Sequence, residues 1–173
     1  MTSLNRGIAL IMLLVAVATS AQGRSNWIVY ESKGPGFRVE LPTEPTINNA
    51  DVKTTYGPAK ATNFWFKGEN GLEGWIKVKD YQPGKISKDP RGYLDEAMGY
   101  HENRHPIQSQ SRFSLDGAPA QRYVVKTVDD RVATIQEVVI GDRFISVGCF
   151  VPKGKENSPD VDRIIKSFAL TKG

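Results

Sequence analysis

Residues His101-Glu102-Asn103-Arg104-His105 spell H-E-x-x-H. On a helix, residues four apart share a face, so two imidazoles could hold one zinc ion while the glutamate activates its bound water. The neighbouring residues argue against that chemistry. Pro106 follows the second histidine at once and should end the helix that both ligands need. Arg104 would put a like charge beside the metal. The extended motif calls for a glycine and a third histidine downstream, where this chain has Gln108 and Ser111. The chain has only 2 histidines, so a third ligand would have to be a carboxylate such as Glu137 or Asp116, and no motif marks either. The simpler reading lets His101 end an apolar stripe of Tyr93, Ala97 and Met98, while His105 helps to cap the helix C-terminus. The residues therefore predict no catalytic centre, no metal and no cofactor. A zinc-dependent hydrolase using His101, His105 and Glu102 is the alternative.

Other catalytic patterns are missing from the sequence. It contains no G-x-S-x-G elbow, no Walker loop, no dinucleotide-binding glycine pattern and no calcium-loop spacing. The acidic pairs Asp95-Glu96, Asp129-Asp130 and Asp160/Asp162 each suit a helix surface, a turn or a first helical turn. Cys149 is the single cysteine and lies inside the apolar run 144–151. It reads as a small buried hydrophobe, since a nucleophile needs a nearby base and an exposed thiolate.

Two groups of residues suit binding. Lys77 and Lys79 alternate on one face of a predicted strand, and Lys85, Lys88 and Arg91 follow in the next loop and helix start. Together they predict either a mildly basic patch for an acidic partner or an anionic membrane surface, or simply a solvated face. The aromatic group Phe64, Trp65, Phe66 and Trp75 could floor a ligand groove, although neighbouring strands more often bury such residues in the core. The formal charge of +4 is a mild bias. With no arginine-rich run and no basic block interleaved with aromatics, it argues against nucleic acid as a partner.

The elements that must position these residues begin with a targeting segment. Arg6 precedes an uninterrupted apolar run over residues 8–18, and the small residues Ala18, Thr19, Ser20 and Ala21 close it. This is the order of a secretory signal peptide, and the run is too short to cross a bilayer. Residues 1–21 are expected to be removed, with cleavage after Ala18 or Ser20 as alternatives. Residues 22–173 then form one domain, which is exported to the periplasm or outside the cell. Strands are predicted over 27–30, 37–41, 51–56, 59–66 and 75–81, joined as an antiparallel meander because short turns connect antiparallel neighbours. Asp89 and Pro90 predict a helix start, and Pro106 its end. Four more strands follow over 107–115, 120–128, 132–140 and 143–151, with turns at Asp116-Gly117, Asp129-Asp130 and Gly141-Asp142. Ser158-Pro159-Asp160 starts a last short helix. The strand 144–151 is apolar on both faces apart from Ser146 and Gly148, which suits the centre of a sheet covered on both sides. The fold class is α+β: an antiparallel sheet with helices packed on it.

Several stretches carry a family resemblance. They are Phe37-Arg-Val-Glu-Leu-Pro42, Glu44-Pro45, Leu94-Asp95-Glu96-Ala97, the eight residues from Leu115-Asp116-Gly117 through Arg122, and the closing Ile165-Lys-Ser-Phe-Ala-Leu170. In these, nearly the whole of 22–173 resembles the Mog1/PsbP-like superfamily. The resemblance implies an α/β/α sandwich around an antiparallel sheet. It also implies a binding role, because characterised members are extrinsic lumenal subunits of photosystem II or, in one case, bind a small nuclear GTPase. Its motifs are turns and strand edges, so it carries over no site residue. The function expected is that of a non-enzymatic exported binding or accessory protein for a protein partner or small ligand. An extrinsic subunit of a membrane complex is a further alternative.

Overall fold

The computed structural model describes residues 27–171 apart from positions 33 and 35. The expected signal peptide, residues 1–21, lies outside the described residues.

A short strand, β1 (Ile28–Ser32), turns back through Gly36 into β2 (Phe37–Leu41). A meander follows, made of β3 (Thr46–Thr54), β4 (Gly57–Lys67) and β5 (Glu73–Tyr81). Helix α1 (Pro90–Glu102) leads to a second meander of β6 (Ile107–Leu115), β7 (Ala118–Lys126), β8 (Arg131–Ile140) and β9 (Arg143–Pro152). The chain closes with α2 (Pro159–Ser167) and β10 (Ala169–Leu170). The two meanders join through β5 and β9 into one seven-stranded antiparallel sheet, in the order β3-β4-β5-β9-β8-β7-β6.

The first hairpin departs from expectation. The alternating pattern predicts one meander over residues 27–81, but β2 pairs with β1 on one side and β10 on the other in a separate three-stranded sheet. Pro42 and Pro45 interrupt the chain directly after β2, and neither can donate to a ladder. Phe37, Val39 and Leu41 are fully buried in one core with Phe64, Ile76, Ile145 and Val147 of the large sheet. The hairpin thus lies over the sheet instead of extending it. Strand β3 also begins at Thr46, ahead of the predicted 51, because its polar first half is an exposed edge that pairs with β4. Helix α1 stops at Glu102 with Asn103 as its C-cap, short of the proline expected to end it. The residue before a proline is disfavoured in the α region, and a turn from the His101 carbonyl to the N–H groups of Arg104 and His105 takes the chain out of the helix first.

Strand β9 occupies the centre, as its apolar run predicts. Its Ile145, Val147, Cys149 and Val151 face α2 and the small sheet. On the other face, Phe144 joins the cluster around Tyr93 and Leu94 of α1, and Phe150 packs with Trp75. The fold is therefore an antiparallel sheet between α1 on one side and α2 with the small sheet on the other. Cys149 is fully buried, and that burial pushes its thiol up to about 12. Without denaturant, a thiol-disulfide reagent at neutral pH should leave Cys149 unlabelled over hours and should react with one thiol per chain once the protein is unfolded. Rapid labelling of the native protein would contradict the placement of β9.

Candidate functional site

Helix α1 has 13 residues, a length of about 20 Å, and it covers only part of its face of the sheet. Leu94 sits over β7 and β8. Between the helix and strands β5 and β9 lies a cavity of about 680 Å³. Trp75, Lys77 and Lys79 of β5 form its floor with Ser146 of β9 and Glu137 of β8. Tyr93, Ala97, Tyr100 and His101 of α1 form one wall, and Thr55 and Tyr56 of the β3–β4 turn close one end.

The helix is held in place by polar contacts on both sides. Asp89 accepts from the Gly92 N–H at 2.9 Å as N-cap, with Pro90 in the first turn. Toward β6 and β7, Arg91 donates to the carbonyls of Phe113 and Ala120, each at 2.9 Å, and Asp95 pairs with Arg112 at 2.7 Å. Toward the β3–β4 turn, the Glu96 carboxylate accepts from Thr55 Oγ1 at 2.7 Å and from Tyr56 Oη at 2.8 Å. Tyr81 and Tyr93 share a hydroxyl hydrogen bond of 2.7 Å, and the Tyr56 ring packs against Tyr93 at a tilt, with 4.8 Å between centroids. This tyrosine cluster closes the end of the cavity.

Below the helix sits a buried polar network. Gln121 Nε2 donates to the Leu94 carbonyl at 2.6 Å and to Glu137 Oε2 at 2.8 Å, and Tyr123 Oη donates to Glu137 Oε1 at 2.9 Å. Both carboxylate oxygens are thus satisfied, yet burial outweighs those two bonds and raises Glu137 to about 7. His101 moves the other way. Burial first, then His105 and the nearby lysines, lower it to about 4, so its imidazole is neutral at neutral pH. Burial, followed by the neighbouring Lys77, also lowers Lys79. The cavity thus holds a neutral imidazole, a carboxyl poised near neutrality and two ammonium groups. These groups can supply hydrogen bonding and charge to a bound molecule.

The structure scatters some predicted site residues and gathers others. His101 enters the cavity, Glu102 is exposed, and His105 stands in the turn beyond the end of the helix. Asp116 lies in the β6–β7 turn and accepts from the Leu170 N–H at 3.0 Å. Among the described residues, no group of three or more His, Cys, Asp or Glu side chains could hold a metal ion. Lys77 and Lys79 point under α1 into the cavity, while Lys85 and Lys88 are exposed in the loop before the helix. Arg91 is turned toward the far side, its guanidinium bonded to carbonyls three and four strands beyond β5. The aromatic group divides: Phe64 and Phe66 belong to the core beneath the small sheet, Trp75 lines the cavity, and Trp65 is 50% exposed. Sequence reasoning did not find the Glu137–Gln121–Tyr123 network. Its one visible signal is Gln136-Glu137 inside the run 132–140, which is otherwise apolar apart from Thr134.

No protein-family model matches the chain, and no curated protein does. Among solved structures it is similar to the solution structure of cyanobacterial PsbP (CyanoP) from Synechocystis sp. PCC 6803. The TM-score is 0.53 at 11% identity, covering 87% of this chain and 95% of that one. The fold is thus a PsbP-like α/β sandwich. No helix among the described residues is long and apolar enough to cross a membrane.

Proposed function

We propose that this chain is an exported, non-enzymatic binding protein that holds a small ligand between α1 and the sheet. The cavity of about 680 Å³ carries the reading: it is of ligand size, walled by aromatic rings and floored by a few convergent polar groups. Export rests on the charged, apolar, small-residue order of positions 6–21. Lys77 and Lys79 face the cavity, so a small ligand has better access to them than a flat membrane or protein surface would.

Gly99 provides the test. It borders the cavity, and a side chain there would meet nothing within 4 Å. Gly99→Leu should raise stability by about 0.5–1 kcal/mol, since glycine is a poor helix residue, while filling the cavity mouth. Protein recovered from the extracytoplasmic fraction of the producing cell, denatured and extracted for mass spectrometry, should release a small molecule. The Gly99→Leu protein should release much less. Equal recovery from both, or an intact Met1 in protein recovered with the membrane pellet, would overturn the reading.

A further inference from the structure

We infer that the cavity takes a small organic anion with an apolar body, its negative group seated between Lys77 and Lys79. The inference rests on the binding reading above and specifies the class of ligand.

Two cations face the cavity without an ion pair among the described residues. Lys77 and Lys79 enter from β5, two residues apart and so on one face of the strand. Glu137 enters from β8, and Glu96 and His101 from α1, with Arg104 just past the helix end. Glu96 is taken up by the Thr55 and Tyr56 hydroxyls, and Glu137 by Gln121 and Tyr123. His101 is neutral, and Arg104 stacks 4.0 Å from the Tyr100 ring. Among the described residues, neither lysine has a carboxylate within ion-pair distance. The Phe144 ring, 5.5 Å from Lys79 Nζ, replaces only part of the hydration that the ammonium has lost. Glu137 acts on Lys79 only from beyond ion-pair distance, and a half-buried pair of cations with no carboxylate in contact favours an occupant that brings one.

The floor and walls complete the recognition. Ser146 stands opposite Lys77 in the β5–β9 register, and its hydroxyl can donate to the same anionic group. Trp75, Tyr93, Tyr100 and Phe144 supply apolar surface for the rest of the ligand. A bare inorganic ion would leave that surface unused. A neutral aromatic molecule would leave the ammonium groups unmatched.

Three probes separate these cases: anilinonaphthalene sulfonate, an anion on an aromatic body; N-phenylnaphthylamine, a similar body without the charge; and inorganic phosphate. With the purified protein at neutral pH and moderate salt, the sulfonate should bind at least tenfold more tightly than the uncharged amine. Millimolar phosphate should displace less than a tenth of it. The Lys77→Gln/Lys79→Gln double variant should keep the melting temperature and lose that tenfold preference. Equal binding of the two dyes, or a preference that survives in the double variant, would overturn the anion inference and leave the cavity reading standing. Full displacement by phosphate would overturn the apolar body. If neither dye binds, the binding reading itself fails.

Discussion

Gly148→Ala should destabilise the protein by on the order of 3 kcal/mol, lowering the melting temperature by about 10 °C. The reason is space. Gly148 of β9 lies directly opposite Trp75 of β5, and the indole lies flat across it. A Cβ at this position would fall 2.2 Å from Trp75 Cη2 and Cζ2 and 2.6 Å from Cε2. The ring has little room to retreat, with Phe150 at 4.8 Å and Trp65 at 6.5 Å between centroids. Overpacking therefore has to distort either the strand or the cavity floor. In a Trp75→Leu background the same Gly148→Ala change should cost less than half as much, which denaturant unfolding of the four proteins would measure as a coupling energy. A Gly148→Ala protein within ~0.5 kcal/mol of the parent would show that the indole does not rest on β9.

The second large effect is a pH dependence carried by Glu137. Burial raises its carboxyl from the usual 4.5 to about 7. Below about 4.5 both the folded and unfolded chains hold the proton. Between those values only the folded chain keeps it, so this group's contribution to stability is full at low pH and is lost as pH rises through about 7. The gap is worth about 3 kcal/mol. Other groups mask it in the parent protein. Lowered to about 4, His101 contributes stability above its unfolded value of 6.5 that is lost as pH falls. The two titrations oppose each other over the acidic range.

Comparison with Glu137→Gln isolates the carboxyl, because the amide keeps its size and its acceptor for Gln121 and, once the Tyr123 hydroxyl rotates to accept, can donate to that oxygen. Relative to the parent, Glu137→Gln should gain about 3 kcal/mol between pH 4.5 and pH 8. Urea unfolding of both proteins at several pH values would show it. A constant difference across that range would mean that Glu137 is solvated and the network around Gln121 is not formed.

How much of this was legible in the sequence follows from the range of the interactions involved. Local chemistry marked the turns: Asp116 and Gly117 both have positive φ, 49° and 86°, in the two-residue hairpin that Asp-Gly predicts. It also marked the helix starts, where Asp89 and Ser158 cap as expected. The run 144–151, apolar on both faces apart from Ser146 and Gly148, placed β9 at the sheet centre, because a strand covered on both faces has no need to alternate. Period-two alternation shows that a strand has a buried side but not what buries it, so the first hairpin was assigned to the wrong sheet.

The site was less legible still. The H-E-x-x-H spacing drew attention to His101, but the chemistry expected of that spacing depends on a helix that ends at Glu102. What His101 faces is a cavity shared with Lys77 and Lys79, 24 and 22 residues earlier in the chain, and with Glu137, 36 residues later. By itself the sequence determined the α+β class, most strands, both helices and the central position of β9, since each follows from residues near one another in the chain. Only the tertiary structure decided that α1 is too short to cover its face and that two lysines lie beneath it. It also decided that a glutamate is held there by Gln121 and Tyr123. Those facts depend on the pairing of β5 with β9 and of β7 with β8, and on where the helix comes to rest across the strands, which no local pattern encodes.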